Sequence, residues 1–172
     1  MVEVHPPDSL VLLRPLRRDE AAGVLDLFER LSPRSRQRRF LTPKPRLSPR
    51  ELDALVDVDG DRHDALAAVP ALHPERLLGV ARVVRQPAGG AADVSVAVAD
   101  DWQGCGLGRH LLSAVLDRAG ARGVERVVFS LLGSNEAALR LAKSAGRVVD
   151  VSCSAGVLEL TVQLARPQPI AA

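Results

Sequence analysis

Apolar positions along this chain follow two periods, and the switches between them mark out its elements. A short apolar run over Leu10 to Arg14 reads as a strand. Ala21, Val24, Leu25, Phe28 and Leu31 then recur at helical spacing and predict a first helix over about 19–31. Ser48-Pro49-Arg50-Glu51 is a helix start, with Ser as N-cap, Pro at the first helical position and Glu three residues after the cap. Leu52, Leu55 and Val56 give this second helix its buried face, and Asp59-Gly60 a stop. Three strands follow at about 65–69, 77–84 and 93–99, separated by turns such as Pro87-Ala88-Gly89-Gly90, which reads as an antiparallel meander.

The stripe Leu111, Leu112, Val115, Leu116 and Ala119 predicts a third helix ending near Gly120 or Gly123. An apolar strand over Arg126 to Leu132, a fourth helix over Asn135 to Ala145 closed by Gly146, and weaker strands at about 147–153 and 157–164 complete the pattern. A strand–helix–strand passage through the third helix makes that central pair parallel and right-handed. Residues 1–165 read as one domain without repeat or linker, and 166–172, with Pro167 and Pro169, as a frayed tail.

One segment carries more chemistry than the periodicity around it. Gln103-Gly104-Cys105-Gly106-Leu107-Gly108-Arg109 follows the alternating run Asp93 to Val98 and leads directly into the third helix. Glycines admit positive φ and close approach of the backbone, and the first N–H groups of a helix lack intrahelical partners. A phosphate or pyrophosphate is the natural occupant of such a cradle. It is no Rossmann loop, because Arg109 stands where the third glycine belongs, and no Walker loop, because Gly-Lys-Ser/Thr never occurs.

What remains, Q-x-x-G-x-G after a valine-rich strand, resembles the acyl-CoA signature of the GCN5-related N-acetyltransferases (the GNAT superfamily), and the order of elements matches that fold over nearly the whole chain. The resemblance implies an α/β (α+β) architecture: a mixed, mostly antiparallel sheet of about seven strands with a central parallel pair, flanked by about four helices. It implies acetyl-CoA, or another short acyl-CoA, as cosubstrate, with the backbone of Gln103, Gly104, Cys105, Gly106, Leu107, Gly108 and Arg109 around the pyrophosphate. Val96 and Val98 fall where the strand's free backbone pairs with the pantetheine arm, and a backbone N–H in that stretch would stabilise the oxyanion. Asn135 stands where the family's asparagine contacts the pantetheine or thioester side, and it is equally a helix cap.

Transfer to an amine needs a base, because a lysine-like amine with pKa near ~10.4 is almost wholly protonated at neutrality. Many family members place a Glu at the start of this strand. Asp93 occupies that position, one methylene shorter, which suits a relay through water; the alternative is a strand-edge or turn role. The family's thiolate-protonating Tyr is missing, since Ala142 stands at its register and the chain has no Tyr. A thiol with pKa near ~8.5 is a tolerable leaving group without it.

The segment 32–47, between the first two helices, holds Arg34, Arg36, Arg38, Arg39, Lys44 and Arg46 and no anion. With 48–59 it resembles the corresponding stretch of Pat-type bacterial protein lysine acetyltransferases. The reading for the acceptor is a protein lysine first. A small-molecule amine, or a non-catalytic CoA-binding regulatory module, stands as the alternative, and a solvated basic loop is the plain account of the charge run.

Composition changes this picture little. At 172 residues and 47% hydrophobic the chain suits one core, built from Val, Leu and Ala because it holds three Phe, one Trp and no Tyr. A net charge of +2 makes no demand for a nucleic-acid partner. The N-terminus lacks an apolar h-region and no stretch reaches membrane-span length, so a cytoplasmic protein without a membrane partner is expected. Cys105 and Cys153 have no ligand-type spacing, and neither do His5, His63, His73 and His110, so no metal is expected. Asp57 to Asp61 fails as a calcium loop, with Gly60 too early and Ala68 where a bidentate Glu belongs. A homodimer is among the assemblies the sequence allows.

Overall fold

The computed structural model describes residues 2–3, 10–87 and 89–165, so the tail expected from Arg166 lies outside the described residues. Its strands are β1 (Val2–Glu3), β2 (Leu10–Pro15), β3 (His63–Pro70), β4 (Gly79–Arg85), β5 (Ala91–Val98), β6 (Arg126–Leu132), β7 (Gly146–Ser154) and β8 (Val157–Leu164). They form one sheet in the order β1-β2-β3-β4-β5-β6-β8-β7. Every neighbouring pair is antiparallel except β5 and β6. The expected sheet of about seven strands is therefore present, with two-residue β1 added at its edge.

The helices are α1 (Ala21–Glu29), α2 (Pro33–Phe40), α3 (Pro49–Val56), α4 (Leu107–Ala121) and α5 (Glu136–Lys143), with a 3₁₀ turn over Asp100–Trp102. Among the described residues five helices stand where four were expected, and the addition is α2, inside the segment read as a basic loop. Its start has the same chemistry as that of α3: Ser32 caps it by accepting from the Ser35 N–H at 3.2 Å, and Pro33 takes the first helical position. Leu41 in the left-handed region, at φ 64°, ends it. No residue of α2 is fully buried, so no apolar stripe announced it.

Arg36 holds α2 in place. Its guanidinium donates to the Phe28, Glu29 and Pro45 carbonyls at 3.1, 2.9 and 2.9 Å and stacks 4.5 Å from the Phe28 ring centroid. Phe28 also meets Phe40 edge to face at 5.8 Å. The predicted capping box of α3 forms, and Glu51 additionally pairs with Lys44. The Lys44 ammonium first, and the Ser48 donors next, hold the Glu51 carboxyl at about 2. Because the folded pKa lies below its usual value near 4.5, this contribution is complete above that value and lost as pH falls toward 2. Glu51→Gln should therefore lower the urea midpoint at pH 7 and converge with wild type near pH 2.

Alternation along the strands assigns the two faces of the sheet. α4 covers one of them. Gly79 admits it closely, since a Cβ there would lie 2.9 Å from the Ala97 carbonyl oxygen and 3.0 Å from Leu111. At the other end of α4, Asp64 on β3 is buried and accepts from Arg118 Nε and Nη2 at 2.8 and 3.0 Å and from Arg122 Nη1 at 2.7 Å. α1, α2 and α3 lie over the opposite face, where Val80, Arg82 and Ala97 meet Val24, Leu27, Phe40 and Leu55 around a recess. Leu77, Leu78, Leu107, Leu111, Leu112 and Leu160 are the bulkiest fully buried side chains, as the scarcity of aromatics requires.

Candidate active site

The parallel pair is short. β5 and β6 are in register only at Ala91 with Arg126, Ala92 with Val127 and Asp93 with Val128. Beyond that they diverge, β5 staying with β4 and β6 with β8. The Gln86 N–H donates to the Ala91 carbonyl and the Ala99 N–H to that of Leu78, so the odd-numbered residues of β5 bond to β4. Antiparallel ladders alternate, which turns the peptide groups of Val96 and Val98 toward the gap.

That gap is a cleft of about 360 Å³ lined by 94–98 of β5, by Phe129, Ser130 and Leu131 of β6 and by Asn135, Ala137, Ala138 and Leu141 at α5. Gly104, Gly106 and Gly108 lie along its mouth. Gly104 at φ 78° and Gly106 at φ 89° adopt the left-handed region, the second as N-cap of α4. The N–H groups of residues 104–108 have no hydrogen-bond acceptor among the described residues, while those of Arg109 and His110 already bond to the Gly106 carbonyl. Five consecutive unsatisfied donors at the N-terminus of a 15-residue helix make a site for a polyanion. Arg38 and Arg109 add positive charge to its rim.

The side chains of this loop mostly build it. Gln103 Nε2 donates to the Val98 carbonyl, Asp100 Oδ1 and Ser35 Oγ at 3.0, 3.1 and 3.2 Å, fastening the loop to β5 and to α2. Burial works against the Asp100 carboxylate, yet donors from Ser32 and Ser35 prevail and hold its pKa below the usual range. Cys105 Sγ donates to the Trp102 carbonyl at 2.9 Å, and Leu107 is fully buried in the core. Neither of the two is among the residues that line the cleft, and what each has left for a ligand is its unbonded backbone N–H. Asn135 both caps α5, with Oδ1 accepting from the Ala138 N–H at 3.3 Å, and lines the cleft.

Asp93 stands apart from this group. It is exposed, one residue before the cleft-lining stretch, and accepts from Gln86 Nε2 at 2.9 Å. Its register partner is Val84, which puts it on the same sheet face as Ser95, Ala97 and Arg82. Ala142 is fully buried, and the α5 residues that face the cleft carry no acidic proton.

Three features escaped the sequence reading. Arg39 lines both the cleft and the neighbouring recess, Arg82 lines the recess, and Ser95 and Ser130 bring hydroxyls to the cleft. The signal for Arg82 was present: a lone cation between Ala81 and Val83 in a strand buried on both faces is rare unless something pairs with it. The six cations of segment 32–47 do not all lie on a solvated loop. Arg36 and Lys44 are consumed by contacts within the fold, and Arg39 turns inward.

A cleft between diverging parallel strands, closed at one end by unsatisfied helix N-terminal donors, defines an acyl-CoA-dependent N-acetyltransferase. The acetyltransferase (GNAT) family model matches residues 26–146, and the chain belongs to that family. It is 33% identical to Acetyltransferase PA5475 of Pseudomonas aeruginosa over 76% of this chain and 70% of that protein. Among solved structures it is similar to the GNAT domain of S. lividans PAT, with TM-score 0.80 and 26% identity over 94% of this chain and all of that one. It shares its fold with a Salmonella typhimurium acetyltransferase described with its cofactor acetyl-CoA, with TM-score 0.69 and 19% identity over 94% of this chain and 98% of that one.

No helix among the described residues is long and apolar enough to cross a membrane. No group of three or more His, Cys, Asp or Glu among them is placed to hold a metal ion.

Proposed function

We propose that this chain transfers an acetyl group from acetyl-CoA to a small primary amine by direct attack in a ternary complex. The unsatisfied N–H groups of residues 104–108 beside the unpaired stretch of β5 carry this reading. They fit the cosubstrate: the loop donors take the pyrophosphate, with Arg38 and Arg109 at its flank, and the Val96 and Val98 peptide groups pair with the amides of the pantetheine arm. Bound there, acetyl-CoA supplies an activated thioester carbonyl.

The residues of the chain do the rest. Water relays a proton from the ammonium to Asp93, the freed lone pair bonds to the carbonyl carbon, and the carbon–sulfur bond breaks to release thiolate as the nitrogen sheds its second proton to solvent. A β5 backbone N–H steadies the oxyanion between these events, requiring no side chain. With no acidic side chain from α5 at the cleft, solvent protonates the thiolate.

The sequence placed a protein lysine first among acceptors. A small molecule is favoured by the recess that opens off the cleft, shares Leu31, Arg39 and Ala97 with it, and is roofed by α1, α2 and α3. Thiol release measured with matched panels of free amines and lysine peptides tests this choice.

The role given to Asp93 has its own signature. Asp93→Asn should lower kcat/KM about tenfold or more near pH 7, where free amine is scarce, and less at pH ~9, where solvent supplies more of it. A variant that tracks wild type across that range would place the base elsewhere.

A further inference from the structure

Two arginines share the recess with no counter-ion among the described residues. Arg82, on β4, is 7% exposed, and its hydrogen bonding among the described residues is a single donation from Nη1 to the Leu55 carbonyl at 2.8 Å. Arg39, on α2, reaches in from the opposite wall with its guanidinium 5.0 Å from the Phe40 ring centroid. Neither pairs with a carboxylate among the described residues, although most of the chain's other inward-turned arginines do or bond to several carbonyls. His63 on β3 feels the Arg82 charge, its pKa lowered by burial first and by that charge second, and it supplies no anion; Asp93, on the same sheet face one residue pair beyond Ser95, is exposed and accepts from Gln86 instead. Desolvation lowers Arg39 to about 10, and desolvation with the Arg39 charge lowers Arg82 to about 9, so both remain cations near neutrality.

A buried cation and a half-buried one facing it without an anion are costly to maintain, and a bound anion relieves the cost. The free space between the walls, about 30 Å³, suits a group the size of a carboxylate and no more. Arg82 is the register partner of Ser95, which lines the cleft, so this anion would lie on the sheet face next to the strand along which the thioester is read to run.

We infer that the acceptor is a primary amine that also bears a carboxylate, and that Arg39 and Arg82 clamp this carboxylate in the recess while the amine projects into the cleft. This rests on the small-amine acetyltransferase reading above. Paired guanidiniums bind a carboxylate through directed, charge-assisted bonds, which makes the clamp selective for that group over its neutral isostere.

The test is an acceptor panel read by thiol release from acetyl-CoA: leucine and the ω-amino acids from glycine to 6-aminohexanoate, each beside its carboxamide, together with spermidine and a neutral lysine peptide. At least one amino acid should exceed its carboxamide by ~10-fold or more in kcat/KM, although the amide of an α-amino acid has more free amine at neutral pH. Arg39→Gln should bring that ratio close to one, and Arg39→Lys should keep part of it. Arg82→Gln should do the same, and if loss of the Leu55 contact unfolds it, Arg39 on the half-buried helix still decides the question.

Indifference to the carboxylate, or an acid-to-amide ratio unchanged in Arg39→Gln, overturns the clamp and leaves the acetyltransferase standing. A best rate with the lysine peptide or spermidine overturns both the clamp and the choice of a small anionic acceptor. Tight CoA binding with no thiol release for any amine overturns the proposed activity, and the clamp with it.

Discussion

Gly108→Ala should leave the fold as stable as wild type or slightly more so, and weaken CoA binding by at least tenfold, about 1.4 kcal/mol. The added methyl would sit 3.6 Å from Val98, 3.8 Å from Val96 and 4.0 Å from Leu141, all ordinary contacts, so nothing in the protein must move. These three residues line the cleft, and the methyl therefore occupies ligand space. Gly108 is helical, and alanine in a helix gains up to about 1 kcal/mol over glycine, less in a first turn. Stability and affinity then move in opposite directions, a combination general damage cannot mimic. Gly106→Val should also lose CoA affinity, but at φ 89° its side chain brings backbone strain with it. Calorimetric titration with CoA and a thermal melt suffice, and an unchanged dissociation constant in Gly108→Ala would refute the cradle.

The largest stability effect away from the cleft is expected at Asp64. Removing its carboxylate strands Arg118 and Arg122 at the junction of β3 and α4. Breaking a fully buried ion pair costs about 3–5 kcal/mol, but these guanidiniums are 33% and 36% exposed and regain some hydration, so Asp64→Ala should cost about 2 kcal/mol. For a chain of this size that is a fall of roughly 4–8 °C in Tm. The pairing also raises the pKa of Arg118, through its hydrogen bond to Asp64 first. Because the junction lies at the C-terminal end of α4, CoA affinity should be unaffected. A melt within a degree or two of wild type would show that the bolt carries no load.

Elements with a strong period and clear punctuation were legible from the sequence. β6 and β8 begin and end where the apolar runs 126–132 and 157–164 do. The loop at Gln103 to Arg109 could be read because its chemistry is local: glycines, a preceding strand and a following helix are contiguous in the chain. α2 was hidden for the opposite reason. Its sequence, Pro-Arg-Ser-Arg-Gln-Arg-Arg-Phe, has no apolar stripe, and it is held by Arg36 reaching carbonyls of α1 and of Pro45. Ser32-Pro33 was the overlooked signal, identical in kind to the Ser48-Pro49 start. The meeting of Arg39 and Arg82 was beyond reach, because it depends on which faces of α2 and β4 the packing brings together.

The short register between β5 and β6 leaves the one sheet open at a corner. β1 to β5 form one leaf and β6, β8 and β7 the other, with three residue pairs and the span of α4 holding them together. An extended amide-bearing arm lying along Val96 and Val98 would serve as the strand missing from that corner. In mechanical terms the sheet is an open book, and on the proposed reading its spine is completed by the cosubstrate, a strand that has to be replaced at every turnover.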